Sequence, residues 1–356
     1  MRMNAAESAP PRRDLVVIGA SAGGVSALLD LCGALPAQMP AAVLIVLHIG
    51  TNPSVLPTLL SARGLNRAVH AEDGQAIESG TLYVAPPDHH MLVKDGAIRL
   101  SRSAKEHHTR PAIDPLFRSA ALEYGPRTIG VVLTGRLDDG TAGLLAIKEC
   151  GGLAVVQDPA DAEHPTMPQS ALQSVAVDCV VPLAGMAETL MRLIAEPAGV
   201  SVADESARDR LEREMAVTEH TETAIDNLNV IGTPSTFACP DCNGVLWEVK
   251  DTKPSRFRCH TGHAFSLRSL EATQATAAED ALWGALRALQ MREEVLRRLA
   301  AQTLSAGADA EARRIEAKAD EAARHARSLR DLLAAASDLE SADEPGVESD
   351  YATAQR

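Results

Sequence analysis

Aromatic residues and long apolar runs are scarce in this sequence. Phe, Trp and Tyr together make up 3% of the 356 residues. A core must therefore be built from Ala, Leu, Val and Ile, which suits helices packed on a buried parallel sheet. No stretch of about 18 apolar residues could span a membrane, and the polar first 13 residues lack the apolar centre of a secretory signal. We expect a cytoplasmic protein without direct membrane insertion.

An excess of positive charge is also missing. Lys and Arg number 34 against 48 Asp and Glu, a formal net charge of −14. A nucleic-acid-binding protein needs a basic surface to neutralise phosphates, so we expect no nucleic-acid partner. Three of the six cysteines fall in one short segment, which in a reducing compartment indicates a metal site rather than disulfides.

Strand-like and helical patterns alternate between residues 14 and 195. This alternation predicts a doubly wound parallel sheet in a three-layer α/β/α arrangement. The strand-like runs are 15–18, 42–47, 81–84, 129–133, 153–157 and 178–181. A hairpin of 91–93 with 97–100 interrupts them, and the helices are predicted at 25–33, 115–124 and 141–150.

The remaining chain divides by composition into a set of smaller segments. We predict a disordered tail at 1–13 and a charged, Thr-rich linker at 196–235, with a helix over 206–216. A small zinc-ribbon-like module follows at 236–268. A helical hairpin at 269–340, broken near Ser305-Ala306-Gly307, favours self-association because Ala-rich helices need packing. The acidic, polar end, 341–356, is predicted to be disordered.

A turn of small residues follows the first predicted strand. It reads Gly19-Ala20-Ser21-Ala22-Gly23-Gly24 and leads into a helix. Ligands bind at the carboxyl ends of strands in open α/β sheets, so Ser21 is a candidate nucleophile there. The turn lacks the Gly-x-Gly-x-x-Gly spacing of a dinucleotide site. A helix-capping role for Ser21 stays open at this point.

Two further strand ends carry side chains that a nucleophilic serine would need. His48 follows the second predicted strand, and Asp138-Asp139 follow the strand at 129–133. Either aspartate could instead cap the helix beginning near residue 141. Ser, His and Asp at neighbouring strand ends form a constellation used in acyl transfer. His107-His108 lie in a polar stretch, where histidines are usually solvated.

Several collinear motifs resemble one known family. The chain from residue 14 to about 193 is similar to the CheB-type protein-glutamate methylesterase domain. The matching segments are 18–24, 46–48, 83–91, 110–117 and 133–143.

The resemblance implies a role for each candidate residue. Ser21 would be the nucleophile, His48 the general base and Asp139 the carboxylate that orients the imidazole. Backbone N–H groups of Ala22 and Arg136 would form the oxyanion hole, although the family usually has other residues at both positions. The implied reaction is hydrolysis of glutamate methyl esters on chemoreceptors or related signalling proteins, and also glutamine deamidation.

The resemblance also bears on regulation and on rival functions. Regulated family members carry a receiver domain first, whereas 13 polar residues precede the first strand here, so we expect no phosphorylation control in cis. A catalytically idle scaffold that binds partners through the metal module and helices is the main alternative. A general small-ester hydrolase is disfavoured, since no aromatic acyl pocket is evident in so aromatic-poor a chain.

The clustered cysteines have the spacing of a metal site. Cys239-Pro240-Asp241-Cys242 and Cys259-His260-Thr261-Gly262-His263 are separated by strand-like segments. Two thiolates on one knuckle and a second pair across a hairpin suit a tetrahedral structural zinc ion. We predict Cys239, Cys242, Cys259 and His263 as ligands. His260 is the competing ligand, but adjacent strand residues point to opposite sides.

Overall fold

A computed structural model describes residues 11–199, 205–219, 223–250 and 252–343, with side chains described up to residue 334. Most of the tails predicted at 1–13 and 341–356, namely 1–10 and 344–356, and two parts of the predicted linker, 200–204 and 220–222, lie outside these residues. The chain divides into two compact units, 1–271 and 272–356.

Nine strands lie between residues 11 and 199. They are β1 (Leu15–Ala20), β2 (Ala42–Leu47), β3 (Arg67–His70), β4 (Thr81–Val84), β5 (His90–Lys94), β6 (Ala97–Ser101), β7 (Thr128–Val132), β8 (Leu153–Gln157) and β9 (Cys179–Val181). Seven of them form one parallel sheet in the order β3-β4-β2-β1-β7-β8-β9. The antiparallel pair β5 and β6 stands apart as the predicted hairpin.

Six helices cover both faces of the large sheet. They are α1 (Gly24–Ala34), α2 (Leu56–Arg63), α3 (Ile113–Tyr124), α4 (Thr141–Glu149), α5 (Thr166–Ser174) and α6 (Leu183–Ala195). Successive side chains of β1 point to opposite faces, so Val17 packs in one core cluster and Val16 in the other. The doubly wound fold is thereby confirmed. β3 was not predicted because it is a four-residue edge strand, too short for a periodic pattern.

The segment predicted as a linker is largely folded. It contains α7 (Glu205–Thr218), α8 (Ala224–Ile231) and the first strand of a second sheet. Leu211 of α7 is buried in the core that α3 and α4 share, and Arg210 pairs with Glu149 at 2.7 Å. Residues 205–219 and 223–235 thus pack on the rest of the folded unit instead of forming only a linker, and α7 contains the helix predicted at 206–216.

A four-stranded antiparallel sheet follows α8. Its strands are β10 (Gly232–Ala238), β11 (Val245–Val249), β12 (Arg256–Cys259) and β13 (Ala264–Ser266), paired in chain order. We call residues 232–266 the Cys-rich module. It belongs to the same compact unit as the parallel sheet. The N-terminal residues 11–13, predicted as part of a tail, are also ordered there, since Ala198 N donates to Pro11 O at 2.7 Å.

Two long helices complete the described chain, α9 (Leu267–Ser305) and α10 (Asp309–Asp343). Gly307, with φ +82°, lies in the turn at the predicted break. Leu286 packs with Leu333, and Arg297 pairs with Glu316 at 2.6 Å. These contacts confirm an antiparallel helical hairpin. None of the helices in the described residues combines the length and the apolarity that crossing a membrane requires.

Candidate active site

Ser21 lies in the tight turn between β1 and α1. Its backbone N–H donates to Thr134 O at 3.0 Å, which holds the turn beside the loop after β7. Gly23 has φ +73°, a conformation that L side chains rarely adopt. The run of small residues thus has a conformational cause, and the turn leaves Ser21 at the carboxyl edge of the sheet.

His48 follows β2 and contacts the serine directly. Its backbone N–H donates to Ala20 O at 3.2 Å, so the histidine is fixed next to the end of β1. His48 Nδ1 lies 3.0 Å from Ser21 Oγ. The opposite ring nitrogen, Nε2, lies 2.7 Å from Asp139 Oδ2. With Nε2–H donating to the carboxylate, Nδ1 is the lone-pair nitrogen that faces the hydroxyl.

Asp139 is held by the backbone as well as by His48. Its carboxylate accepts hydrogen bonds from the N–H groups of Ile113, Asp114 and Gly140 at 2.7–3.0 Å. The first two belong to the first turn of α3, where free N–H groups stabilise negative charge. Burial alone would raise the pKa of Asp139, but the charge of His107 and the hydrogen bond and charge of His48 hold that pKa well below its usual range.

The neighbouring Asp138 faces elsewhere. Its carboxylate accepts a 2.7 Å hydrogen bond from Ser266 Oγ at the end of β13. Burial raises the pKa of Asp138 above its ordinary value. The structure therefore separates the two adjacent aspartates, since only Asp139 contacts the imidazole of His48.

His107 is a residue near the site that sequence reasoning missed. We expected it to be solvated, yet its side chain is only 6% exposed. Its Nε2 lies 3.0 Å from Asp114 Oδ2, and its Nδ1 lies 3.0 Å from Ser269 Oγ. Burial alone would lower the pKa of His107, but Asp139 and Asp114 outweigh it and raise the pKa to about 9. Its position just before the 110–117 motif was the available signal.

The two backbone groups predicted for the oxyanion hole lie in loops beside the serine. Ala22 directly follows Ser21. Arg136 directly follows Gly135, where an added Cβ would lie 2.9 Å from Ser21 Cβ and 2.6 Å from Met167 Cε. Glycine is therefore required for this close approach. The oxyanion role of both N–H groups stays a prediction.

The four predicted metal ligands converge in the Cys-rich module. The ligand atoms of Cys239, Cys242, Cys259 and His263 all lie within 4.8 Å of one another. Cys242 Sγ and Cys259 Sγ are 3.6 Å apart, and Cys259 Sγ lies 3.5 Å from His263 Nδ1. Tetrahedral zinc with Zn–S bonds of about 2.3 Å needs similar separations, so this group could hold a metal ion. The His260 ring instead lies against Gly244.

The fold and the arrangement around Ser21 define a class of protein. A serine, a histidine and an aspartate are joined by hydrogen bonds at the ends of the adjacent strands β1, β2 and β7. This is how serine hydrolases on α/β sheets are built.

Comparisons with known proteins identify the family within that class. The family model described as CheB methylesterase matches residues 16–190. A Leptospira interrogans relative is 41% identical over 186 residues, which cover 51% of this chain and 94% of that protein. The chain belongs to the CheB methylesterase family, and its parallel-sheet domain is a methylesterase domain.

Two further matches differ in how much of the matched protein is covered. A Methanosarcina mazei protein named protein-glutamate methylesterase/protein-glutamine glutaminase 2 is 37% identical over 191 residues, 51% of this chain and 52% of that protein. The crystal structure of the Thermotoga maritima CheB methylesterase catalytic domain is 32% identical, with a TM-score of 0.49, and is matched over 98% of its length and 51% of this chain. These matches, like the Leptospira one, each cover about half of this chain.

Proposed function

We propose that this enzyme hydrolyses methyl esters of glutamate side chains on chemoreceptors or on a related signalling protein. The proposal rests on the hydrogen-bonded series from Ser21 Oγ through His48 to Asp139, with distances of 3.0 and 2.7 Å. The family membership supports the substrate class. A scaffold would have no physical need for these two contacts, so the series favours an enzyme over the idle alternative.

In this proposal each member of the series has one task. Ser21 Oγ attacks the ester carbonyl carbon while His48 Nδ1 takes the hydroxyl proton. Asp139 keeps the imidazole oriented and stabilises its positive charge. When the tetrahedral intermediate collapses, methanol leaves with the proton from His48. Water, activated by the same imidazole, then attacks the acyl-enzyme and releases the glutamate carboxylate.

Backbone donors complete the proposed site. Amides of Ala22 and Arg136 would bind the oxygen that becomes negative in the intermediate. One such donor contributes about 3–4 kcal/mol of transition-state stabilisation. Because main-chain groups make this contact, the side chains at the two positions can differ from those usual in the family. The same series would accept a glutamine amide and release ammonia.

The Cys-rich module suits a structural zinc ion. Three thiolates and one imidazole are a closed tetrahedral donor set without a position for substrate. Bound zinc would hold the two knuckles together, and we assign no catalytic step to it. Metal analysis of the purified protein should give about one equivalent. Less than half an equivalent would contradict the assignment.

The hydrolytic proposal is tested by released methanol. Methyl-labelled receptor membranes are incubated with wild type, Ser21→Ala and Ser26→Ala. Ser26 is an exposed serine of α1, five residues from Ser21, and serves as a matched control. We expect release with wild type and Ser26→Ala and none above background with Ser21→Ala. Equal release from all three proteins would remove the assignment of Ser21 as the nucleophile.

A further inference from the structure

The beginning of α9 is joined to the methylesterase domain by two serines. Ser266 N donates to Ser269 Oγ at 2.9 Å, and Ser269 N donates to Ser266 Oγ at 3.0 Å. This reciprocal pair is a capping box in which serine replaces the usual Glu or Gln. The positions of both hydroxyls are therefore tied to the start of the helix.

The same two hydroxyls contact residues beside the triad. Ser266 Oγ donates to Asp138 Oδ1 at 2.7 Å, and Ser269 Oγ lies 3.0 Å from His107 Nδ1. His107 Nε2 contacts Asp114 Oδ2 at 3.0 Å and lies 3.7 Å from Asp139 Oδ1. The imidazole of His107 thus lies between Ser269, at the start of α9, and Asp139, the carboxylate that contacts His48.

Asp114 is itself part of the support for Asp139. Its N–H donates to Asp139 Oδ1 at 3.0 Å. Its own Oδ1 accepts from the N–H groups of Gly140 and Gly143 at 3.0 and 2.6 Å. Any shift of His107 would therefore act on both carboxylates and on the loop that carries Asp139.

We infer that His107 is a positioning residue for the proposed hydrolysis, and that the Cys-rich module and the first turn of α9 hold it in place. This inference rests on the proposed function. The module thereby becomes part of the structure that keeps Asp139 in register with His48.

The segment that carries His107 is held by main-chain hydrogen bonds in addition to the side-chain contacts. His107 N donates to Ala264 O at 2.8 Å, at the start of the module's last strand, β13. Buried ion pairs lie beside this segment: Arg258 contacts Glu106 at 2.9 Å, and Arg256 contacts Glu214 at 2.7 Å. The segment carrying His107 therefore cannot move independently of the module.

The charge of His107 matters as much as its shape. Asp114, Asp138 and Asp139 surround it, and Arg118 of α3 approaches Asp114 at 4.0 Å. Glu106 is its chain neighbour and pairs with Arg118 and Arg258. A neutral residue in place of the imidazolium leaves the three aspartates less compensated, so negative charge accumulates around the triad.

Two matched pairs of variants test the inference. His107→Gln removes the charge, and His108→Gln is its control, because His108 also contacts the module, through Asp241, but is 57% exposed. Ser269→Ala removes the contact to His107. Its control is Ser235→Ala, which removes a hydrogen bond to Leu246 O inside the module. Methanol release gives kcat and KM against pH, and the rate at which a fluorophosphonate modifies Ser21 measures the nucleophile alone.

We expect His107→Gln to lower kcat about 10- to 100-fold, with KM nearly unchanged. The acid limb of its kcat/KM profile should move upward by about one pH unit. Ser269→Ala should lower kcat about threefold to tenfold, and both controls should match wild type.

Wild-type kcat and an unshifted acid limb in His107→Gln would overturn the inference. If that variant does not fold, Ser269→Ala decides by the same criteria. If wild type releases no methanol, the proposed substrate fails, while the labelling rates of Ser21 still decide the role of His107.

Discussion

The parallel-sheet domain and the Cys-rich module are stabilised by different means. The sheet lies between two large apolar clusters, one on each face, to which every strand from β1 to β4 and β7 to β9 contributes. The module has one small cluster of buried residues, and two of them, Cys239 and Cys259, are candidate ligands. The first region can form a core by itself, whereas the second needs other attachments.

Those attachments are mostly charged. Arg118, Arg256 and Arg258 meet Glu106 and Glu214 in a buried cluster between α3, α7 and β12. Buried ion pairs contribute less to net stability than apolar packing, but they allow only a few geometries. The sheet thus supplies stability, while the charged contacts fix where the module lies against the candidate active site.

Loss of the metal site should have the largest effect and should divide the two regions. In Cys259→Ser we expect hydrogen-exchange protection to disappear in 232–266 and to remain in β1 and β2. The reason is that structural zinc contributes about 10–16 kcal/mol in small modules. Cys179→Ser is the control, because Cys179 lies in β9 outside the ligand group. Equal loss of protection in both regions would contradict the comparison.

The two adjacent aspartates allow the next test, since Asp139 faces His48 and Asp138 faces the module. We expect Asp139→Asn to lower kcat about 10⁴-fold, because an amide cannot hold the imidazole in the required tautomer. Asp138→Asn should keep most of the activity. Methanol release from methyl-labelled receptors measures both. Similar losses in the two variants would break the assignment of Asp139 as the triad carboxylate.

Removing a charge from the buried cluster should have a smaller effect, and this effect is on the stability of the fold. Glu106→Gln should lower the free energy of unfolding by about 3–5 kcal/mol, because Arg118 and Arg258 then lose a buried partner. Glu212→Gln, in an exposed pair with Arg208, should change it by no more than about 0.5 kcal/mol. Urea unfolding followed by circular dichroism compares them. Equal costs would mean that the cluster is no more important than a surface pair.

The smallest expected effect is the pH dependence of stability. Burial alone would raise the pKa of Glu214, but Arg256 and Arg118 lower it from 4.5 to about 2. Its contribution is therefore complete above its ordinary pKa and is lost as the pH falls toward 2. The pKa of His107 is raised from 6.5 to about 9, so its contribution is present below 6.5 and is lost as the pH rises toward 9.

Two variants separate the acid and the alkaline parts of this pH dependence. Glu214→Gln should flatten the acid side of the profile of unfolding free energy against pH, and His107→Gln should flatten the alkaline side. Urea titrations between pH 3 and 9 measure both. A wild-type alkaline slope in His107→Gln would show that this imidazole does not carry a raised pKa.

Much of the site was predictable because parallel strands bring their carboxyl ends to one edge. Ser21, His48 and Asp139 each follow a strand, and β2, β1 and β7 are neighbours. The burial of His107 could not be predicted in the same way. Its covering group, Ser269, is 162 residues away in the chain, and the stretch around His107 is polar.

The same limit explains the segment expected to be a linker. The charged composition of 196–235 indicated a linker, yet Glu214 of α7 is buried against Arg256 and Arg258. A charged residue is expected to be exposed to solvent unless its partner is known. The partners of Glu214 lie 42 and 44 residues further along the chain.

Local chemistry in the sequence was enough for three things: the alternation of strands and helices, the glycine-rich turn that carries Ser21, and the spacing of the cysteines. Each depends on neighbouring residues alone. The family resemblance had already singled out Asp139, and the structure places that carboxylate against His48. Only the tertiary structure decided how His107 and Glu106 come to be buried. The environment of a charge is set by groups that folding brings to it, as with Arg258 and Glu106, which are 152 residues apart.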